Sequence, residues 1–282
     1  MAEYGRRGVS SRTVCAVLGA PRSRLYPRRG RQESVPVRGA DRDKPLSDAM
    51  RAVCERHLTY GYRRVTAVLH REGVRVNHKR VNRIMREAGL TRPRIRTQRV
   101  GADGRGAAGD AEGPDRVWQM DLTRVWVEAL GWVNVVAIID VWDRSIVGHV
   151  IAARARSAEW VAALDRAAMA RFPAGIREGG ARLRLQVDNG CQPCSRAFVA
   201  ATRALGIELF YTHVQAPKQN AYIERFFRTL KEEEVWPNIY NTLAEAQRSI
   251  DAFITFYNEQ RVHSALGYQP PACYARTQPL AA

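Results

Sequence analysis

The chain has 282 residues, 45% of them apolar, enough for about two globular domains with packed cores, which excludes a wholly disordered chain. Its 45 Lys and Arg against 28 Asp and Glu leave a formal charge of +17, far beyond what solubility needs, so a polyanion is the first partner to consider. Five scattered cysteines (Cys15, Cys54, Cys191, Cys194, Cys273) exclude a disulfide framework and fit a reducing cytoplasm, while apolar runs such as Val135 to Ile139 are too short to cross a membrane and no leader pattern opens the chain.

The charge is unevenly placed. Residues 1–116 carry 27 Lys and Arg against 12 Asp and Glu, and the remainder 18 against 16, so the front is +15 and the back +2. Nearly all the cations are Arg, whose planar fork suits phosphates and guanine edges; a coding bias toward Arg would give the same count. In chain order, a helix through Leu18 capped by Ser10 or Ser11 is expected, and a turn from Gly19 leads to another short helix near Tyr26. Residues 30–45 are Arg, Gly, Pro and Asp without periodicity and read as a linker, which closes a first segment at 45.

Residues 46–90 hold three helical segments. Apolar positions fall at Ala49, Val53 and Cys54, then Val65, Val68 and Leu69, then Val81, Ile84, Met85 and Ala88. Asn77 stands where a cap belongs and Gly89 where a helix stops, so the third helix is expected over 78–88. Its outer face would carry Lys79, Arg80, Asn82, Arg83 and Arg86, as in a helix-turn-helix unit whose last helix enters the major groove; the alternative is a solvated basic face on a small bundle. Residues 91–116 read as a second linker, whose basic start (Arg94 and Arg96 among its cations) suits a phosphate backbone and whose Gly-rich remainder suits a flexible spacer.

From Val117 the period changes to two. Strands are expected at 117–127, 131–142 and 145–153, a helix at 158–172, a strand at 181–188, a helix at 195–205, a strand at 207–212, and helices at 219–234 and 243–259. That order gives an α/β core over 117–240, a mixed sheet flanked by helices, with a helix and tail at 241–282.

Three acidic residues lie where such a core places chemistry. On the first strand Trp118, Met120 and Leu122 form the apolar face, leaving Gln119, Asp121 and Thr123 on the other. Leu183, Leu185 and Val187 put Asp188 on the polar side at a strand's carboxyl end, before Asn189 and Gly190. On the 219–234 helix the buried stripe is Tyr222, Ile223, Phe226, Phe227 and Leu230, so Glu224 aligns with Asn220, Arg228 and Lys231 on the opposite face. Clustered carboxylates repel unless a cation compensates, and magnesium prefers oxygen ligands; two ions about 4 Å apart activate an attacking oxygen and stabilise a leaving one on phosphorus. Lys218, Asn220, Arg228 and Lys231 would grip the flanking phosphates. Each acid alone has a plainer reading as a turn former, cap or solvated side chain, and Asp140, a rival at another strand end, reads as turn and ion-pair structure.

The pieces Tyr60-Gly-Tyr-Arg-Arg64, Trp118-Gln-Met-Asp-Leu-Thr123, Ile139-Asp-Val-Trp-Asp-Arg-Ser-Ile-Val-Gly148, Val187-Asp-Asn-Gly190, Asn220-Ala-Tyr-Ile-Glu-Arg-Phe226 and Phe256-Tyr-Asn-Glu-Gln-Arg-Val-His-Ser-Ala-Leu-Gly267, with 35 residues between Asp188 and Glu224, resemble one family. It is the insertion-sequence transposases with a retroviral-integrase-like core, in the group encoded with a separate upstream helix-turn-helix subunit. The resemblance implies a five-stranded ribonuclease H-like fold behind a helix-turn-helix-like domain. It implies a catalytic Asp121, Asp188 and Glu224 set holding two Mg2+ or Mn2+ ions, and strand cleavage and transfer on DNA. Element ends and target DNA would be its partners, with a homo-oligomer on DNA, an upstream subunit, no membrane, and a place at the bacterial nucleoid. No ATP is implied, in keeping with the lack of a P-loop. Cys191 and Cys194 form a lone Cys-x-x-Cys without the second pair a zinc site needs, and His57, His70 and His78 are assigned to packing or DNA contact. A non-catalytic DNA-binding relic and a structure-selective nuclease remain as alternatives.

Overall fold

A computed structural model describes residues 40–91, 111–176, 183–212 and 220–278. The chain divides into two compact units, Met1–Asp48 and Ala49–Ala282. The described part of the first is the opening of helix α1 (Ala40–Arg56), and the other described elements lie in the second. The helix pair expected before residue 30 lies outside the described residues. Helix α1 starts at Ala40, six residues before the expected Leu46; Pro45 inside it and the lack of apolar spacing over 40–45 mask that start.

Helices α2 (Tyr62–Arg71) and α3 (His78–Glu87) follow α1. They pack through Val65 and Leu69 against Val81, Ile84 and Met85, while α1 buries Met50 and Val53 rather than Ala49. The Asn77 side chain accepts from the Lys79 N–H at 2.8 Å, and Gly89, at φ 68°, ends the helix in the left-handed region that glycine tolerates.

Strands β1 (Val117–Val127), β2 (Gly131–Asp140) and β3 (Ile146–Ala152) form an antiparallel meander. After α4 (Ser157–Arg171), β4 (Arg184–Val187) pairs parallel to β1; after α5 (Arg196–Leu205), β5 (Glu208–Tyr211) pairs parallel to β4. The sheet order is β3-β2-β1-β4-β5, the mixed five-stranded sheet expected from the sequence. Helix α6 (Ala221–Leu230) continues as a π-helical turn over Lys231–Val235, and α7 (Leu243–Glu259), a short 3-10 turn (Ser264–Leu266) and α8 (Pro271–Thr277) complete the chain.

Both sheet faces are covered. Trp118, Met120, Val136 and Ile138 pack against α4 and α5, whereas Val125, Val127, Val133 and Val135 pack against α6 and α7. Gly148 makes the first contact possible: a Cβ there would stand 2.5 Å from the Ala163 carbonyl oxygen and 2.7 Å from the Ala167 Cβ. Asp140 is fully buried at the end of β2, its oxygens accepting from the Asp115 and Trp142 N–H groups, with Arg171 3.9 Å away. Burial first, then Asp143, pushes its carboxyl up to about 7, and the group works as turn structure, as expected.

Candidate active site

Two glutamines locate the site. Gln119 on β1 and Gln186 on β4 are register partners in adjacent parallel strands, and the buried Gln119 Nε2 donates to Gln186 Oε1 at 3.3 Å. Side chains alternate along a strand, so Asp121 and Asp188, each two residues further on, leave the same sheet face side by side. The Gln119 Oε1 also accepts from the backbone N–H groups of Tyr222 and Ile223, both at 3.2 Å. Those are the first turn of α6, and the next residue is Glu224. One amide thus ties the two aspartate strands to the glutamate helix.

Asp121 is half-buried and its Oδ1 accepts from the Leu122 N–H at 2.7 Å. Its carboxyl is pushed up to about 6, first by burial and then by the charges of Asp188 and Glu224, against the Leu122 hydrogen bond. Asp121 therefore feels the charge of both other acids, while Asp188 and Glu224 stay exposed. Among the described residues no group of three or more His, Cys, Asp or Glu side chains is drawn into a ready-made cage for a metal ion. The donor set is all oxygen, and burial with two like charges leaves Asp121 short of positive charge, so a hard divalent cation fits it. Gly190 closes the rim: its N–H donates to Asp188 Oδ1 at 3.1 Å, and a Cβ there would lie 3.0 and 3.3 Å from the two carboxylate oxygens.

Comparison with known proteins places this chain in a family. A family described as an HTH-like domain matches residues 40–99, and two described as integrase core domains match residues 111–217 and 205–271. A transposase for insertion sequence element IS904 of Lactococcus lactis subsp. lactis is 30% identical over 80% of this chain and 91% of its own length. The chain belongs to the insertion-sequence transposases. A 31.7 kDa protein of insertion element IS407 from Burkholderia multivorans is 30% identical over 95% of this chain and 91% of that protein, and a 39.2 kDa protein of IS476 from Xanthomonas euvesicatoria is 31% identical over 96% and 74%. The sheet and helices of this transposase are accordingly the ribonuclease H-like integrase core, with the helix-turn-helix-like helices ahead of it.

The expected DNA contacts are not all placed alike. Lys79, Asn82, Arg83 and Arg86 border one shallow surface on α3, with Arg80 also exposed. Arg83 is engaged there by Glu87 at 2.9 Å. Arg228 is exposed and Lys231 half-buried on the turn after α6, where Lys231 lines a cleft with Arg124, Trp126 and Trp236. Asn220 departs from expectation: only 7% exposed, it is buried at the start of α6 instead of sharing the open face with Glu224, and its Oδ1 has no partner. Arg94, Arg96 and Lys218 lie outside the described residues.

The sequence alone marks Gln119 only as a strand residue on a polar face. A signal is present, since a Gln two residues before each aspartate is a repeated pattern, but a buried amide pair leaves no hydrophobic trace. His57 stacks on Tyr60 and Phe256, His70 Nε2 bonds the Val76 carbonyl, and His78 stacks on Tyr62, all packing roles. Cys191 and Cys194 are exposed and unbridged.

Proposed function

We propose that this transposase cuts and joins the ends of its own insertion sequence at Asp121, Asp188 and Glu224, with two divalent ions, Mg2+ or Mn2+, as cofactor. The observation that carries the reading is the Gln119 amide, which links the two aspartate-bearing strands to the helix bearing the glutamate. When bound, the ions supply activation of the attacking hydroxyl oxygen and charge stabilisation of the leaving one. Asp121, Asp188 and Glu224 would hold the ions, whose positive charge would offset the three carboxylates and favour Asp121 in its deprotonated form. Arg228 and Lys231, one and two turns after Glu224, hold the flanking phosphates, and Lys218 is proposed to join them, whereas the buried Asn220 takes no part. The exposed face of α3 (Lys79, Arg80, Asn82, Arg83, Arg86) and the basic stretch around Arg94 and Arg96 read and grip the element end. The reading part is placed at 46–90 and the core at 117–240, with α1 beginning ahead of the first and α7 packed on the sheet of the second. Target DNA, a second copy on the DNA and an upstream helix-turn-helix subunit complete the working assembly, at the nucleoid of a bacterial cytoplasm. Among the described residues no helix is long and apolar enough to cross a membrane.

The test is a labelled duplex spanning the element end, incubated with the protein and Mn2+. Joined strands support the proposal; nicks that never join indicate a nuclease, and binding without either a relic. Replacing Lys79, Arg80 and Arg86 together by Gln should weaken binding and lower the salt slope by about 0.9 for each phosphate no longer neutralised. An unchanged slope removes α3 from the interface. Gly190→Ala should raise the Mn2+ concentration needed for half-maximal cutting by about tenfold, since its Cβ would press on Asp188. A titration indistinguishable from the parent protein would take Asp188 out of the metal site.

A further inference from the structure

Glu233 lies on the π-helical turn after α6, nine residues beyond Glu224. Its Oε2 accepts from Arg261 Nε at 2.7 Å, and its Oε1 from Arg261 Nη2 at 2.7 Å and from Thr59 Oγ1 at 2.8 Å. Arg64 Nη1 is 3.6 Å away. Arg261 follows α7 in the core, but Thr59 lies in the turn between α1 and α2, and Arg64 lies within α2, both ahead of the sheet. The central ion pair is buried, the side chains of Arg261 and Glu233 being 3% and 9% exposed, while Arg64 is 21% exposed and Thr59 borders a cleft. Around it His57 stacks at 4.4 Å on Tyr60 and at 5.5 Å on Phe256 of α7, and the Arg64 guanidinium lies 5.3 Å from the Tyr60 ring.

A surface contact between two parts of a chain would leave their spacing loose; this one does not. Burial alone would raise the Glu233 carboxyl, yet the Arg261 and Thr59 hydrogen bonds and the Arg261 and Arg64 charges outweigh it and hold the group ionised. A buried, fully bonded charge contributes little net stability, and its best-attested use is to fix one register against others. Here the register is that of α2 against α6 and its π turn, both within one compact unit. On one side α6 and its π turn run from Glu224 to Glu233, about 13 Å at 1.5 Å per residue. On the other, α2 carries Arg64 and packs through Val65 and Leu69 on α3, whose outer face holds Lys79 and Arg86.

We propose that Glu233, through Thr59 and Arg64, fixes the DNA-reading helix at a set reach from the carboxylates and so determines which phosphodiester is cut. Glu233 is then a positioning residue, remote from the reacting atoms. The inference rests on the cutting activity proposed above.

The test uses the full chain carrying Thr59→Val and Arg64→Met together, which leaves the Arg261–Glu233 pair of the core intact. Glu233→Gln is avoided as the main variant, since it would strand two guanidinium groups without a counter-charge. The probe is an end-labelled duplex spanning the junction between the terminal repeat beside the gene and its flank, with Mn2+, resolved at single-nucleotide length. Binding should stay within about twofold by anisotropy, and cuts should spread to neighbouring phosphates, the parent position losing most of its share. Arg64→Lys, which keeps the charge, should restore a single position. Cuts confined to the parent phosphate overturn the proposal, whatever their rate. Complete loss of product also overturns it, because damage to the carboxylates alone would do that. Should the double variant fail to fold, the same readout on Thr59→Val decides. If the parent protein cuts nothing, the proposed activity falls and this inference with it; if the parent cuts at one position and the variant does the same, only the inference falls.

Discussion

With Asp121→Asn the protein is expected to yield no nicked or joined product from element-end DNA and Mn2+, a loss of at least about a thousandfold, while DNA affinity holds or rises. The amide keeps the size and the Leu122 hydrogen bond but removes the buried negative charge that the site offers a cation. The same substitution has an opposite effect on stability, which makes the prediction two-sided. An ordinary aspartate titrates near 3.8, but here the folded chain holds its proton up to about 6. The unfolded chain therefore releases the proton first, and the metal-free fold loses stability as pH climbs from about 4 to about 6 and carries the full cost above that. A carboxyl raised this far sets an upper limit of about 3 kcal/mol on that cost. Asp121→Asn should thus melt several degrees higher than the parent at pH 7.5 without metal, and the gap should close near pH 4. Added Mg2+ should raise the parent's melting temperature and leave the variant's nearly unmoved. Undiminished product from the variant would dismiss Asp121 from the chemistry, and a variant that melts lower than the parent at pH 7.5 would show that no charge strain exists there.

The sheet and its acids are legible in the sequence because both leave periodic traces. Strand β1 alternates from Trp118 to Thr123, and the stripe of Ile223, Phe226, Phe227 and Leu230 sets the face of α6 opposite which Glu224 is exposed. Periodicity also misleads in one respect. The face of β1 opposite Trp118 and Met120 reads as polar because it carries Gln119, Asp121 and Thr123, yet Gln119 is fully buried and Thr123 nearly so. Polar side chains enter a core when their hydrogen bonds are met there, and a hydropathy pattern does not record who meets them. Asn220 is misplaced for a related reason: helical spacing puts it in line with Glu224, but the helix begins only at Ala221, so 3.6-residue geometry does not apply to it. Glu233 and Arg261 are invisible in the sequence because an ion pair 28 residues apart has no local signature, and both types are usually solvated. The long helix expected over 219–234 ends as α-helix at Leu230, where the backbone widens to the π turn that aims Glu233 at Arg261.

Gln119→Leu carries the second large expected effect, on folding and on chemistry together. Leucine matches the amide in bulk, so the substitution removes hydrogen bonds rather than volume. It leaves the N–H groups of Tyr222 and Ile223 without their acceptor and the buried Gln186 Oε1 without its donor. At about 1–3 kcal/mol for each buried group left unsatisfied, and with water reaching some of them, a destabilisation of about 3–5 kcal/mol is expected in denaturant unfolding. The first turn of α6 is then free to shift, and Glu224, which follows Ile223 directly, shifts with it. A displacement of about 1 Å at a catalytic group costs on the order of a hundredfold, so cutting at saturating DNA should fall by about that much with little change in DNA affinity. Raising Mn2+ should recover part of the loss, since the cation rewards the original arrangement of the three acids. That recovery separates the residue's positioning role from plain loss of folded protein, which metal would not repair at a temperature well below melting. Gln119→Glu offers the converse check: it keeps an acceptor for Tyr222 and Ile223 but cannot donate to Gln186 when ionised, and it brings a fourth carboxylate beside Asp121. It should restore helix placement in part while pushing the Asp121 carboxyl further up, moving the rise of activity with pH to higher values. If Gln119→Leu cuts at the parent's rate, the amide does not hold the glutamate helix, and the link from the paired glutamines to the active carboxylates is broken.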